Sequence, residues 1–171
     1  SPLNFDRLLG FAKKRYDIVI VDLPEVVDHV TEAVSYHSKN MFVVSTPEPI
    51  CLEVARRRLR QLEARGTKAS ARRVILNRVL QHPATVDVEE YEKVMGGKIA
   101  AVLPNDYAVI QESIAGTSSV SLDSLLGKAY LTLAGSLAGK DIPLERPDNT
   151  FAASLKNLFS PKKRTDPVKV A

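Results

Sequence analysis

The sequence predicts a three-layer α/β domain in which a mostly parallel β-sheet lies between helices. Two observations support this fold class. Short β-branched runs alternate with helical apolar stripes along the chain, and the runs lack the polar–apolar alternation of a half-exposed strand. A length of 171 residues with a hydrophobic content of 44% is enough for one sizeable core.

The predicted elements follow in chain order. They are a helix to about residue 14, a strand at 17–22, a helix after Asp28, a strand at 41–44, a helix at 49–65, a strand at 73–76, a helix at 86–95, a strand at 98–103, a helix at 106–115 and a last helix capped by Ser121. Aspartate and serine accept hydrogen bonds from the first turn of a helix. Pro49 is typical of a first helical turn, and Gly66 of a helix end. Residues 1–139 are predicted to form the domain and residues 140–171 a tail.

Composition and spacing exclude several classes of protein. No apolar stretch approaches the ~18 residues of a membrane span. The single cysteine, Cys51, excludes an internal disulfide framework and fits a reducing, cytoplasmic compartment. His29, His37 and His82 show no metal-ligand spacing. The formal net charge of +4 permits an anionic partner without requiring one.

Polar segments follow all four predicted strands, at the sheet edge where ligands bind in open α/β folds. They are Asp22–Pro24, Thr46–Glu48, Asn77–Arg78 and Pro104–Asp106. Asp22 has the form of a carboxylate that orients a water on a phosphate-bound Mg²⁺. Asn77 offers a donor and an acceptor to a base edge. Each residue alone also fits a turn or a helix cap.

Together these segments resemble the C-terminal half of the MinD/ParA group of deviant P-loop ATPases. Within that group they are similar to the CpaE/TadZ branch, which is associated with pilus assembly and polar localisation. The matching runs are YDIVIVDLP at 16–24, VVSTPE at 43–48, VILNR at 74–78, LPND at 103–106 and AG at 115–116. The likeness in order and spacing extends from about Leu3 to Gly139.

The resemblance implies a site for ATP and Mg²⁺ in the full-length protein. Asp22 would be the Walker B residue that acts on Mg²⁺ through a water, and Pro24 would lie at the start of the switch II segment. Glu25 is a departure, because many relatives carry a second proline at that position.

The base side of the site is implied by the same resemblance. Asn77 would contact the adenine with Arg78 beside it. The base pocket would be lined by Pro104, Asn105 and Asp106.

The phosphate-binding loop G-x-x-x-x-G-K-[ST] does not occur in the sequence. In the family this loop lies upstream, so the sequence indicates a truncation at Ser1, and the chain alone is not expected to hydrolyse ATP. The resemblance implies that the complete protein binds ATP, forms a homodimer and positions pilus-assembly, secretion or other polar machinery at the membrane.

Two alternative functions remain open. One is a non-hydrolysing localisation scaffold with a degenerate nucleotide site. The other is a ParA-like DNA-partitioning ATPase, for which a basic helix would supply phosphate contacts through Arg56–Arg58, Arg60 and Arg65. Glu53 is expected to pair with Arg57, and this pairing favours a solvated helix face over a DNA surface.

The tail contains a short amphipathic segment at 151–159. Its apolar face consists of Phe151, Leu155, Leu158 and Phe159, and the cations Lys162, Lys163 and Arg164 follow. An apolar stripe beside cations is typical of helices that bind anionic membrane surfaces, and it resembles the membrane-targeting helix of MinD. The alternative is a helix that docks on its own domain.

Overall fold

The computed structural model describes residues 2–26, 28–80, 82–116, 118–140 and 142. Within these ranges the elements are α1 (Pro2–Arg15), α2 (His29–His37), β1 (Met41–Ser45), α3 (Pro49–Ala64), β2 (Arg72–Val79), a short 3₁₀ turn (Pro83–Thr85), α4 (Val88–Met95), β3 (Lys98–Pro104), α5 (Tyr107–Ala115) and α6 (Leu125–Leu137). From α2 to α5 helices and strands alternate, as the sequence predicts, whereas α1 and α2 follow one another with no strand among the described residues between them.

The three strands form one parallel sheet in the order β1-β2-β3. Met41 aligns with Arg72 and Ser45 with Leu76, while Lys98 of β3 aligns with Arg73. Each pair of neighbouring strands is connected through a helix, α3 or α4, as parallel strands require. The predicted α/β class with a parallel sheet is confirmed.

Helices cover both faces of the sheet. Val74 and Leu76 are fully buried in a cluster with Leu59 of α3, whereas the intervening Ile75 packs in a second cluster with Leu126 of α6. Successive side chains of a strand point to opposite faces, so all three positions must be apolar. Burial on both faces explains why the strand sequences show no alternation.

The prediction of a strand at 17–22 is wrong. These residues are irregular, and Ile18 and Ile20 are 54% and 83% exposed. Only Val21 and Leu23 pack inward, against the cluster that contains Met41. A β-branched run becomes a strand only where a neighbour accepts its backbone hydrogen bonds, and among the described residues β1 pairs with β2 alone.

Several element boundaries also differ from those predicted. β2 continues through Asn77 to Val79, so that asparagine lies within the strand and does not end it. The last helix is capped by Ser124, whose hydroxyl accepts a hydrogen bond from Gly127 N at 2.9 Å. Ser121 instead belongs to the preceding turn, where its carbonyl accepts from Ser124. A serine on either side of one turn can cap a helix, and packing decides which does so.

Other predicted helix ends are confirmed. Asp28 caps α2 through a capping box with Thr31, in which its carboxylate accepts from the Val30 and Thr31 amides at 3.0 Å. These bonds, the one from the Thr31 amide first, lower the pKa of Asp28. Gly96 ends α4 with φ 69°, which allows an abrupt turn into β3.

Candidate functional site

The carboxyl ends of the three strands place three polar segments along one edge of the sheet. Thr46–Glu48 follows β1, Asn77–Arg78 lies near the end of β2, and Asn105 follows β3. Parallel strands all end on the same side, which makes this edge the place for a ligand in an open α/β fold. Three of the four segments singled out in the sequence are thus brought together.

The end of β2 contains a bulge at Asn77 and Arg78. The pairing with β3 shifts register between Leu76 and Val79, and it resumes where Val79 aligns with Pro104. The Asn105 amide donates to the Val79 carbonyl at 2.8 Å and closes the bulge on the far side. Bulges re-aim side chains and are frequent beside functional sites.

Arg78 has φ 56°, the one positive φ of a non-glycine residue among those described. An arginine in this left-handed region is strained, because its Cβ crowds the following carbonyl. The Asn77 side-chain oxygen accepts from the Arg78 amide at 2.9 Å and supports the conformation. Strain of this kind, at the strand ends where open α/β folds bind ligands, is a reason to test Arg78 for a function.

Glu48 is a member of this edge to which the sequence assigned no role. A hydrogen bond from the Thr46 hydroxyl, a bond to its own backbone amide and the positive charge of Arg78 lower the pKa of the Glu48 carboxyl. The charge of Arg78 makes the smallest of these contributions, and the hydrogen bond from Thr46 makes the largest. The run of threonine, proline and glutamate after β1 was the available sequence signal.

Pro104 and Asp106 have structural contacts of their own. Pro104 is buried as the last residue of β3, and Asp106 caps α5 by accepting from the Val109 amide at 3.3 Å. Asn105, between them, is exposed. The cap occupies one oxygen of Asp106, and its role toward a nucleotide stays a prediction.

Asp22 and Pro24 are exposed in the irregular segment 16–26, so the sheet does not hold Asp22 as the sequence predicted. Leu23, which lies between these two residues in the chain, packs against the core cluster that contains Met41. An exposed single carboxylate fits Mg²⁺, which keeps several waters and takes one or two carboxylates together with substrate phosphates. The described residues contain no cluster of three or more metal-ligating side chains.

Nearby carboxylates pair with most of the basic side chains of the α3 region. The pairs are Arg56–Glu53 and Arg60–Glu53 at 3.5 Å, Arg58–Glu25 at 3.0 Å, and Arg65–Glu32 at 3.2 Å. The expected Glu53–Arg57 pair is therefore wrong, because Glu53 reaches Arg56 and Arg60 instead. This distribution favours a solvated face over a concentrated anion-binding patch.

The membrane prediction cannot be placed on the structure. Phe151, Leu155, Leu158, Phe159, Lys162, Lys163 and Arg164 all lie outside the described residues. Within the described part, no helix is long and apolar enough to cross a membrane.

The fold and the polar strand ends define an α/β domain whose parallel sheet is covered by helices. No protein-family model matches the sequence. Among curated relatives, the septum site-determining protein MinD of Thermotoga maritima is 27% identical over 173 residues, which cover 96% of this chain and 64% of that protein. An uncharacterised ATP-binding protein of Methanocaldococcus jannaschii is 26% identical over 151 residues, covering 84% of this chain and 57% of that one.

Solved structures show the same relationship. A ParA family ATPase from Chlorobium tepidum superposes with a TM-score of 0.68 at 30% identity, covering 78% of this chain and 57% of that one. Aquifex aeolicus MinD in its complex with MinC gives 0.69 at 21% identity, with coverage of 85% and 62%. Pyrococcus horikoshii MinD with Mg-ADP gives 0.63 at 21%, with coverage of 80% and 56%.

The chain is thus homologous to the MinD/ParA group of P-loop ATPases. It spans 56–64% of the length of the relatives described above. The MinD/ParA resemblance found in the sequence motifs is confirmed at this level.

Proposed function

We propose that this chain forms the adenine-binding and switch side of an ATP site in a MinD/ParA-like ATPase, and that a longer polypeptide supplies the phosphate-binding loop. The observation that carries the proposal is the strained bulge at Asn77 and Arg78 beside Asn105. The names of the relatives add support, since they include an ATP-binding protein and a MinD with bound Mg-ADP.

The unpaired outer edge of β1 supports the proposal that a longer polypeptide completes the sheet. The outer edge of β1 has no paired strand among the described residues, and Val44 on that strand is 60% exposed. Ile18 and Ile20 are also exposed in an unpaired, β-branched segment. Parallel sheets are normally covered on both faces, and an apolar edge of this kind is a template for a further strand.

The residues present fit distinct parts of such a site. The Asn77 side-chain amide can donate to and accept from a purine edge, while Arg78 places a positive charge beside it. The Asp22 carboxylate can orient a water of the metal shell. A bound Mg²⁺ would neutralise charge on the phosphates.

The test is nucleotide binding by the complete polypeptide encoded by the gene. Asn77→Ala should weaken ATP binding about 5- to 150-fold. The polar group of the adenine that Asn77 pairs with would lose its partner, which costs about 1–3 kcal/mol of binding free energy. Asn40→Ala is the matched control, since Asn40 is half-buried just before β1, at the amino ends of the strands and away from the candidate site. Equal ATP affinity in the two variants, or no ATP binding by the complete polypeptide, would refute the proposal.

We further propose that the ATP-bound protein dimerises and positions a partner assembly at a membrane. The motif order of the CpaE/TadZ branch supports pilus or secretion machinery as that assembly, and the MinC:MinD complex of a relative is a precedent for a protein partner. ATP-dependent dimerisation is measured by light scattering of the complete polypeptide with and without ATP. A monomer under both conditions contradicts it.

The tail supplies the proposed membrane contact through Phe151, Leu155, Leu158 and Phe159. The 171-residue chain should sediment with vesicles that contain anionic lipid, and replacing Leu155 and Leu158 by serine should abolish sedimentation. Equal sedimentation of both proteins would refute this part of the proposal.

DNA partitioning and a scaffold function are alternatives with their own tests. The pairing of Arg56 and Arg60 with Glu53 disfavours DNA, and salt-insensitive or absent DNA binding would reject it. A scaffold with a degenerate site would show positioning activity in a complete polypeptide that does not hydrolyse ATP.

A further inference from the structure

Arg58 on α3 contacts the segment that carries Asp22 and Pro24. Its Nη2 donates to Glu25 Oε1 at 3.0 Å, across 33 positions of sequence. This contact joins the segment at 22–26 to the helix layer.

Arg58 is held ready for this contact by its surroundings. Its side chain is 23% exposed, and Nη1 donates to Gln61 Oε1 at 2.9 Å, one turn further along α3. The Nε atom is buried without a hydrogen-bond partner. A guanidinium fixed on one side loses less rotamer freedom when its other side binds a carboxylate.

The contact lies between two other anchors of the segment. Leu23 packs into the core cluster, and Asp28 caps α2 just beyond. Pro24 and Val26 lie between these anchors and are exposed, while Glu25 provides an ion pair to the helix layer. Loss of that pair would remove the contact of Glu25 with α3, while the Val26 carbonyl would still accept from the Thr31 hydroxyl at 3.5 Å.

We propose that Arg58 is a positioning residue, and that its ion pair with Glu25 holds the Asp22–Val26 segment against α3. The importance of that segment for nucleotide chemistry rests on the proposed function, but the positioning itself does not. Because Glu25 is 77% exposed, the ion pair is screened by salt and contributes only weakly to holding the segment in place.

The test is ¹⁵N NMR relaxation of the 171-residue chain at low ionic strength. Glu25→Gln and Arg58→Gln should each lower the amide order parameters of the 22–26 segment toward the values below about 0.6 that flexible backbone gives. The double variant should lower them no further than the more affected single variant, because the second change removes an interaction already lost. At about 1 M salt, where the Debye length is about 3 Å, the differences should vanish.

Glu53→Gln is the matched control. It removes the pairs with Arg56 and Arg60 on the same helix, and neither touches the 22–26 segment. Unchanged order parameters of 22–26 in both single variants, additive effects in the double variant, or an equal effect of Glu53→Gln would overturn the proposal. None of these outcomes bears on ATP binding, which is measured separately through Asn77.

Discussion

Replacing Arg78 by glycine is expected to make the chain more stable than replacing it by alanine. The reason is the φ of 56°, which only glycine adopts without steric cost. Relief of the left-handed conformation gives about 1–2 kcal/mol, and the extra chain entropy of unfolded glycine takes back about 0.5–1 kcal/mol. The difference between these ranges is about 0–1.5 kcal/mol, so the glycine variant should exceed the alanine variant by about 0.7 kcal/mol in the free energy of unfolding.

The measurement is urea unfolding followed by far-ultraviolet circular dichroism, since the chain contains no tryptophan for fluorescence. Arg73 in the same strand has ordinary backbone geometry and serves as the control. There the order should reverse, with glycine less stable than alanine by about 0.5–1 kcal/mol. If alanine is the more stable substitution at Arg78 as well, the strain argument fails. Both Arg78 variants should also raise the Glu48 pKa toward its ordinary value, because the nearby positive charge is lost.

Three further predictions concern stability. Leu76→Ala should lower the free energy of unfolding by about 2–5 kcal/mol because Leu76 is fully buried. Leu80→Ala, at an 85% exposed position, should change it by less than about 0.5 kcal/mol. The two variants are compared by their denaturant midpoints, and equal midpoints would contradict the burial argument. Asp28→Ala should destabilise the chain at pH 7 and have progressively less effect in acid. The folded pKa of Asp28 lies below the ordinary 3.8, so the stability that its carboxylate contributes is present above that value and disappears as the pH falls through the folded pKa. A difference in melting temperature between the two proteins that stays constant across about pH 2–7 would contradict this. Gly127→Ala should lower the melting temperature, since a Cβ there would overlap the backbone of the preceding turn, while Gly10→Ala in α1 meets no atom within 4 Å and should raise it; the opposite order would be inconsistent with the packing of α6.

The sheet was predictable because its strands are buried on both faces. The runs that became β1, β2 and β3 are apolar without alternation, which is typical of parallel strands that helices cover on both faces. The run at 17–22 has the same pattern and does not form a strand. Its sequence expresses a preference for extended backbone, but pairing requires a neighbouring edge, which sequence pattern does not provide.

The candidate site was predictable only in outline. Asn77 and Arg78 were placed at the correct edge because strand ends and turn residues can be read locally. The bulge was not foreseen, since a left-handed residue is normally signalled by glycine or asparagine and here it is Arg78. The Glu48–Arg78 interaction and the Arg58–Glu25 pair join distant parts of the chain, and no local pattern encodes them.

The sequence by itself determined the order of the helices and of the strands β1 to β3, the caps at Asp28 and Gly96, and the motifs shared with MinD/ParA ATPases. These properties depend on hydrogen bonds and apolar periodicity within a few residues of one another. The tertiary structure alone decided which β-branched run joined the sheet, which serine capped α6 and where Glu25 was held. Each of those outcomes depends on a partner brought close by folding, and a local sequence pattern does not specify that partner.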